Sequence, residues 1–150
     1  MADTLYILNG PNLNLLGTRE PEIYGSQTLE DIERACREKA ADCGFVIEFR
    51  QSNHEGVLVD QLHEAHQAGA AGIVFNPGAY THTSIALHDA IKAIAPAVIE
   101  VHLSQTAARE DFRHRSFVGA AAIGTVTGLG LKGYLLAIDA FPVLHESITQ

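Results

Sequence analysis

Basic residues are scarce in this chain: ten Lys and Arg stand against eighteen Asp and Glu in 150 residues, for a net charge of -8. Nucleic acids and anionic membranes are bound by clustered cations, so neither is expected as a main partner, although a local anion site stays compatible with an acidic protein. Long apolar runs are missing too. None approaches the ~18 residues of a membrane span. The N-terminal "MADTLYILNG" lacks the basic stretch that opens a secretory signal, so the expected location is the cytoplasm. Cysteine is nearly absent. Cys36 and Cys43 lie in a helical pattern, which sets them about 10.5 Å apart along the axis, beyond the reach of a disulfide. They read as small core residues of a reducing compartment. Neither an internal repeat nor a low-complexity linker divides the sequence. A chain of this length buries roughly 68–70% of its unfolded surface, enough for a single domain over residues 1–150.

What is present alternates between two periods. Residues 4–9 (TLYILN), 45–50 (FVIEFR), 72–76 (GIVFN), 97–102 (AVIEVH) and 120–126 (AAAIGTV) are short and mostly rich in Ile, Val and Phe. They predict five strands. Between them, Leu29, Ile32, Cys36, Ala40 and Cys43 mark one helix stripe. Val57, Leu58, Leu62, Ala65 and Ala68 mark a second, and Ile85, Ala86, Ala90, Ile91 and Ile94 a third. Thr28 with Asp31 resembles a helix N-cap, and Gly44 sits where a C-terminal cap glycine belongs. A last helix is expected from about Leu131, ended or kinked at Pro142. Repeated strand–helix–strand units imply a parallel sheet covered on both faces, a doubly wound α/β fold. Five strands suit the order 2-1-3-4-5, with a ligand cleft at the carboxyl ends of the first and third strands.

Unusual polar segments follow the strands that would meet there. After the first strand comes "NGPNLNLLG" with Asn12, then "LGTREPEIYGS". Gly17, Pro21 and Gly25 break both regular periods, so this second stretch reads as a loop carrying Arg19 and Tyr24, either functional or merely solvated. After the third strand comes "NPGAYTHTS" with Asn76 and His82. Asn76 before Pro77 is equally a turn former, and Thr81, Thr83 or Ser84 can cap the next helix. Glu100 and His102 stand two apart on one strand and so share a face. A carboxylate there can support an imidazolium, and a protonated histidine is a general acid; the competing reading is a hydrogen-bonded core histidine. "QTAAREDFRHRSF" then brings Arg109, Arg113 and Arg115 together. One of them near the cleft suggests a carboxylate ligand, whereas "REDFR" can also pair with itself. Two patterns are decoys. "GLGLKG" (128–133) matches G-x-G-x-x-G, but the seventeen residues after it are too few for a further strand carrying a ribose-binding acid. His63 with His66, and His82 with His88, lack a third ligand at a metal-site spacing, so no metal is expected.

Taken in order, "NGPNLNLLGTREPEIYG", "FNPGAYTHTSIALHDAI", "IEVHLS" and "AREDFRHRSF" resemble the type II 3-dehydroquinate dehydratases, and the resemblance spans essentially the whole chain. It implies a flavodoxin-like subunit assembled into trimers and usually a dodecamer of four trimers. The implied reaction is reversible dehydration of 3-dehydroquinate to 3-dehydroshikimate, without metal or organic cofactor, in aromatic biosynthesis or quinate breakdown. By the same resemblance Tyr24 is the base, as a tyrosinate, and Arg19 lowers its pKa. Asn12 holds a water on the enolate, and His102, supported by Glu100, is the general acid. Asn76, His82, Leu103, Ser104 and Arg113 grip the substrate, Asp89 of a neighbouring subunit completes the pocket, and residues 17–26 form a lid. Gln105, Ala107 and "RHRSF" depart from the family pattern and bear on loop packing. An alternative on the same fold is a non-catalytic nucleotide- or flavin-binding module.

Overall fold

The computed structural model describes residues 2–18 and 20–149, with Tyr24 and residues 145–149 described by their backbone alone. Five parallel strands, β1 (Asp3–Asn9), β2 (Phe45–Gln51), β3 (Gly72–Asn76), β4 (Val98–His102) and β5 (Gly124–Thr127), form one sheet in the order β2-β1-β3-β4-β5. This is the expected doubly wound arrangement. Helices α1 (Pro21–Tyr24), α2 (Leu29–Asp42), α3 (Glu55–Gln67), α4 (Ile85–Ala93), α5 (Phe117–Ala121) and α6 (Leu131–Thr149) connect or follow the strands. Among the described residues, no helix is long and apolar enough to cross a membrane.

Alternation along the strands builds two cores. Leu5 and Ile7 of β1, Val74 of β3, and Ile99 and Val101 of β4 pack on α2 and α6 through Ile32, Cys36, Tyr134, Ile138 and Phe141. The intervening residues Tyr6, Leu8, Ile73, Phe75 and Val98 pack on α3, α4 and α5 through Leu58, Leu62, Leu87, Ile91 and Val118. Strands buried on both faces explain why they read as continuous apolar runs. The start of α2 is a full capping box: the Asp31 amide donates to Thr28 Oγ1 at 3.2 Å and the Thr28 amide donates to Asp31 Oδ2 at 3.0 Å. Both thiols are free, Cys36 buried in the core and Cys43 half-buried at the end of α2.

The structure corrects the expected elements at three places. Residues 120–126 are not one strand, because the Ser116 hydroxyl caps a short helix by accepting the Gly119 amide at 2.8 Å, and the alanines there are good helix formers. The chain enters the sheet only at Gly124, after the Ile123 amide has bonded the Val98 carbonyl at 2.9 Å. On α4 the buried stripe is Leu87, Ala90 and Ile91, while Ile85 is 59% exposed. Apolar residues on both sides of that helix make its inner face ambiguous in sequence, and packing against α3 and α5 selects it. Val57 likewise falls on the outer side of α3. At Pro142, where an end or a kink is the expectation, the helix does not end: α6 continues through it.

Candidate active site

The carboxyl ends of β1, β3 and β4 open on one cavity, lined by Asn12, Asn76, His82, His102, Leu103, Ser104 and Arg113 among others. These are the cleft residues expected from the sequence, brought together by the strand order. Asn12 holds a left-handed backbone (φ 69°) and its amide donates to Asn53 Oδ1 at 3.0 Å, which fixes the turn after β1. Asn76 closes β3 and accepts the Gly78 amide on Oδ1 at 3.1 Å, so the turn-forming role and a place in the cavity coexist.

His102 and Glu100 do face the same side of β4. Their side chains meet at 2.6 Å between Nε2 and Oε2, and Glu100 is 1% exposed. Thr81 and Ser116 also donate to Oε2, the latter at 2.8 Å, and Thr125 donates to Oε1 at 3.1 Å. Four donors match the roughly four lone-pair sites of an ionised carboxylate. Burial pushes the Glu100 carboxyl up, but the bonds from His102, Thr81 and Ser116 outweigh it and hold the group below the usual carboxylate range. Glu100 therefore sits charged behind the histidine. With Nε2 directed at that carboxylate, Nδ1 is the position from which an imidazolium can deliver a proton.

His82 stacks near His102, with ring centroids 6.5 Å apart and planes inclined by 15°. Its Nδ1 lies 2.7 Å from the Arg115 carbonyl, a partner that requires a proton on Nδ1. Burial lowers its pKa most, opposed by that bond and reinforced by the nearby His102 and Arg113. The neutral ring then leaves Nε2 as an acceptor.

Arg109 and Arg113 both line the cavity, resolving which arginines reach the cleft. Glu110 pairs with each, at 3.8 Å to Arg109 Nε and 3.0 Å to Arg113 Nε, while Arg109 Nη1 donates to Ser104 Oγ at 3.2 Å. Their side chains are only 14% and 17% exposed, so this is no solvated face: the acid between them steadies two guanidiniums at the cavity wall. Arg115 is directed elsewhere, over the Phe117 ring at 4.6 Å.

Three expected members stand differently. Asp89 lies on α4 outside the cavity, exposed and 3.1 Å from His88 Nδ1. Arg19 and the side chain of Tyr24 lie outside the described residues; of the expected lid, Pro21 opens the one-turn α1, whose backbone ends at Tyr24. Sequence reasoning missed the hydroxyls that hold Glu100. Thr81 was a capping candidate, but Ser84 takes that role and Thr81 is turned to the carboxylate. A hydroxyl at 81, 116 or 125 carries no local signal of this, since the three converge only through the fold.

"GLGLKG" forms the turn between β5 and α6, and two of its glycine amides are taken by the end of β4. Gly128 donates to the His102 carbonyl at 3.3 Å and Gly130 to the Leu103 carbonyl at 3.0 Å. They are thus engaged with the end of β4 instead of presenting a phosphate cradle. Among the described residues, no three His, Cys, Asp or Glu side chains converge as a metal site.

The model of the family described as dehydroquinase class II matches residues 3–142. A 3-dehydroquinate dehydratase of Maricaulis maris (strain MCS10) is 63% identical over 140 residues, covering 93% of this chain and 95% of that protein. One from Agrobacterium fabrum, 3-dehydroquinate dehydratase 1, is 61% identical, with 93% and 96% covered. The crystal structure of type II dehydroquinase from Butyrivibrio crossotus superposes with a TM-score of 0.91 at 43% identity, covering 93% of this chain and 97% of that one. The family match runs through the strands and loops that build the cavity, and the chain belongs to the class II dehydroquinase family.

Proposed function

We propose that this protein catalyses the reversible loss of water from 3-dehydroquinate to give 3-dehydroshikimate, using its own side chains without metal or organic cofactor. The observation that carries the reading is the charged, fully hydrogen-bonded Glu100 behind His102, in a cavity that also holds two guanidiniums. Such a site offers a general acid and a carboxylate grip together.

Tyr24, as tyrosinate, removes the proton alpha to the ketone, and the C–H electron pair moves to the carbonyl oxygen as an enolate. Free tyrosine titrates near ~10, so the Arg19 guanidinium is what makes the anion accessible at neutral pH. A water held by Asn12 donates to the enolate oxygen. The pair then returns to form the ring C=C as the C1–O bond breaks, and the hydroxyl leaves as water with the proton of His102 Nδ1. Solvent exchange returns a proton to His102 and takes one from Tyr24. Asn76, His82, Leu103, Ser104 and Arg113 grip the hydroxyls and the carboxylate of the substrate. Residues 17–26 close as a lid over the substrate and exclude water. Asp89 reaches the pocket of a neighbouring subunit in a trimer, and four trimers make a dodecamer. The step belongs to the shikimate pathway or to quinate breakdown in the cytoplasm.

Purified protein mixed with 3-dehydroquinate should raise the ultraviolet absorbance of a conjugated enone. Tyr24→Phe should lose nearly all turnover while still binding, and Arg19→Ala should lower kcat more than affinity. No absorbance rise with the wild-type protein sinks the assignment. By sizing, the assembly should run near twelve times the 16.1 kDa of one chain.

A further inference from the structure

Two asparagines end neighbouring strands in register, Asn9 on β1 opposite Asn76 on β3. Strand alternation turns both toward α6, and each is buried, with 0% and 3% exposure. Between them sits the hydroxyl of Tyr134, a fully buried residue in the first turn of α6. Asn76 Nδ2 donates to that oxygen at 2.9 Å, and the hydroxyl donates to Asn9 Oδ1 at 2.7 Å. Asn9 Nδ2 then donates to the Arg50 carbonyl at 2.9 Å, while Asn76 Oδ1 accepts the Gly78 amide at 3.1 Å. The direction of the chain admits one assignment. Flipping the Asn76 amide would set Nδ2 against the Gly78 N–H, and reversing the tyrosine proton would leave Asn9 Oδ1 without a donor.

We infer that Tyr134 is a positioning residue for the substrate-binding amide of Asn76: the Asn9–Tyr134–Asn76 chain locks that amide in one orientation, presenting a fixed remaining N–H to a substrate oxygen. The inference rests on the proposed reaction, in which Asn76 grips an oxygen of the substrate. It also gives a use to the glycine-rich turn that precedes Tyr134. Gly130, with φ +57°, bonds the Leu103 carbonyl, and Gly133 packs 3.4 Å from Val126 and 3.5 Å from Val101, measured from the Cβ it lacks. This seats the first turn of α6 close against β4 and β5. The turn thus brings the Tyr134 oxygen to the strand ends and holds the backbone beside His102.

Tyr134→Phe removes one oxygen and keeps the ring. The expected result is a KM for 3-dehydroquinate raised about tenfold with kcat within about threefold, the signature of lost ground-state and transition-state binding alike. In an Asn76→Ala background the same change should leave KM unaltered, because the amide it positions is gone; a general packing defect would raise KM equally in both backgrounds. Asn9→Ala tests the chain one bond further back with α6 itself unsubstituted, and should raise KM about threefold or more. An unchanged KM in Tyr134→Phe, or equal effects with and without Asn76, overturns the positioning role. A wild-type protein inactive on 3-dehydroquinate overturns the reaction itself and this role with it, whereas active wild type beside an unaffected Tyr134→Phe overturns only the role.

Discussion

Replacing Gly119 by alanine tests how tightly Glu100 must be held for His102 to act. A Cβ at this position would stand 2.7 Å from Glu100 Oε1 and 3.1 Å from Ser116 Oγ. Relief to the 3.4 Å at which ordinary contact begins requires a shift of about 0.7 Å. The carboxylate is not a flexible end that can yield, since His102, Thr81, Ser116 and Thr125 all donate to it in a buried site. Overpacking of this kind costs roughly 1–3 kcal/mol of stability. The larger effect is expected on rate, because a displacement approaching 1 Å in a catalytic group can cost about 10²-fold. Steady-state kinetics of Gly119→Ala should therefore show kcat reduced by roughly two orders of magnitude with KM changed much less. Urea unfolding measured alongside separates this from loss of folded protein. If kcat stays within twofold of wild type while the protein is folded, Glu100 does not set the position of His102 and the reasoning fails.

Other outcomes follow from the same geometry. The Glu100 carboxyl titrates below its usual 4.5 in the fold, so its contribution is present above the unfolded value and is lost as pH falls through the folded one. Glu100→Gln should be less stable than wild type by urea unfolding at neutral pH, with the gap narrowing as the pH falls below 4.5; a constant gap contradicts the charged, buried assignment. Thr28→Ala removes the side-chain cap of α2 and should lower unfolding stability by about 1 kcal/mol, against which an unmoved urea midpoint would count. Burial pushes the Cys36 thiol up to about 12 and also raises Cys43. In native protein at mildly alkaline pH, a disulfide reagent should reach Cys36 only after denaturant is added; rapid native labelling of Cys36 would mean that α2 does not cover it.

Much of the site could be read before the fold was known because strand periodicity is local. Glu100 and His102 had to share a face whatever surrounded them, and Asn76 had to stand at a strand end because Pro77 follows it. The fifth strand was misplaced for the opposite reason. "AAAIGTV" is apolar without a decisive period, and the helix over Phe117–Ala121 depends on a cap from Ser116, which also donates to a carboxylate on another strand. The stripe on α4 was rotated because apolar side chains lie on both its sides, and only packing against α3 and α5 selects Leu87 over Ile85. "REDFR" supported both a self-paired and a ligand-binding reading; in the fold Glu110 engages both arginines while they line the cavity.

By itself, the sequence determined the strand–helix alternation, the parallel order and the chemical types gathered after β1, β3 and β4. Each of these follows from residue period, turn chemistry or the handedness of crossovers, and none needs a distant contact. Only the tertiary structure decided which hydroxyls hold Glu100, which two arginines face the cavity, and that Tyr134 bridges Asn9 and Asn76. Those residues lie up to 125 positions apart along the chain, and a hydrogen bond between side chains is set by the packing that brings them within about 3.2 Å, not by anything in their immediate neighbours.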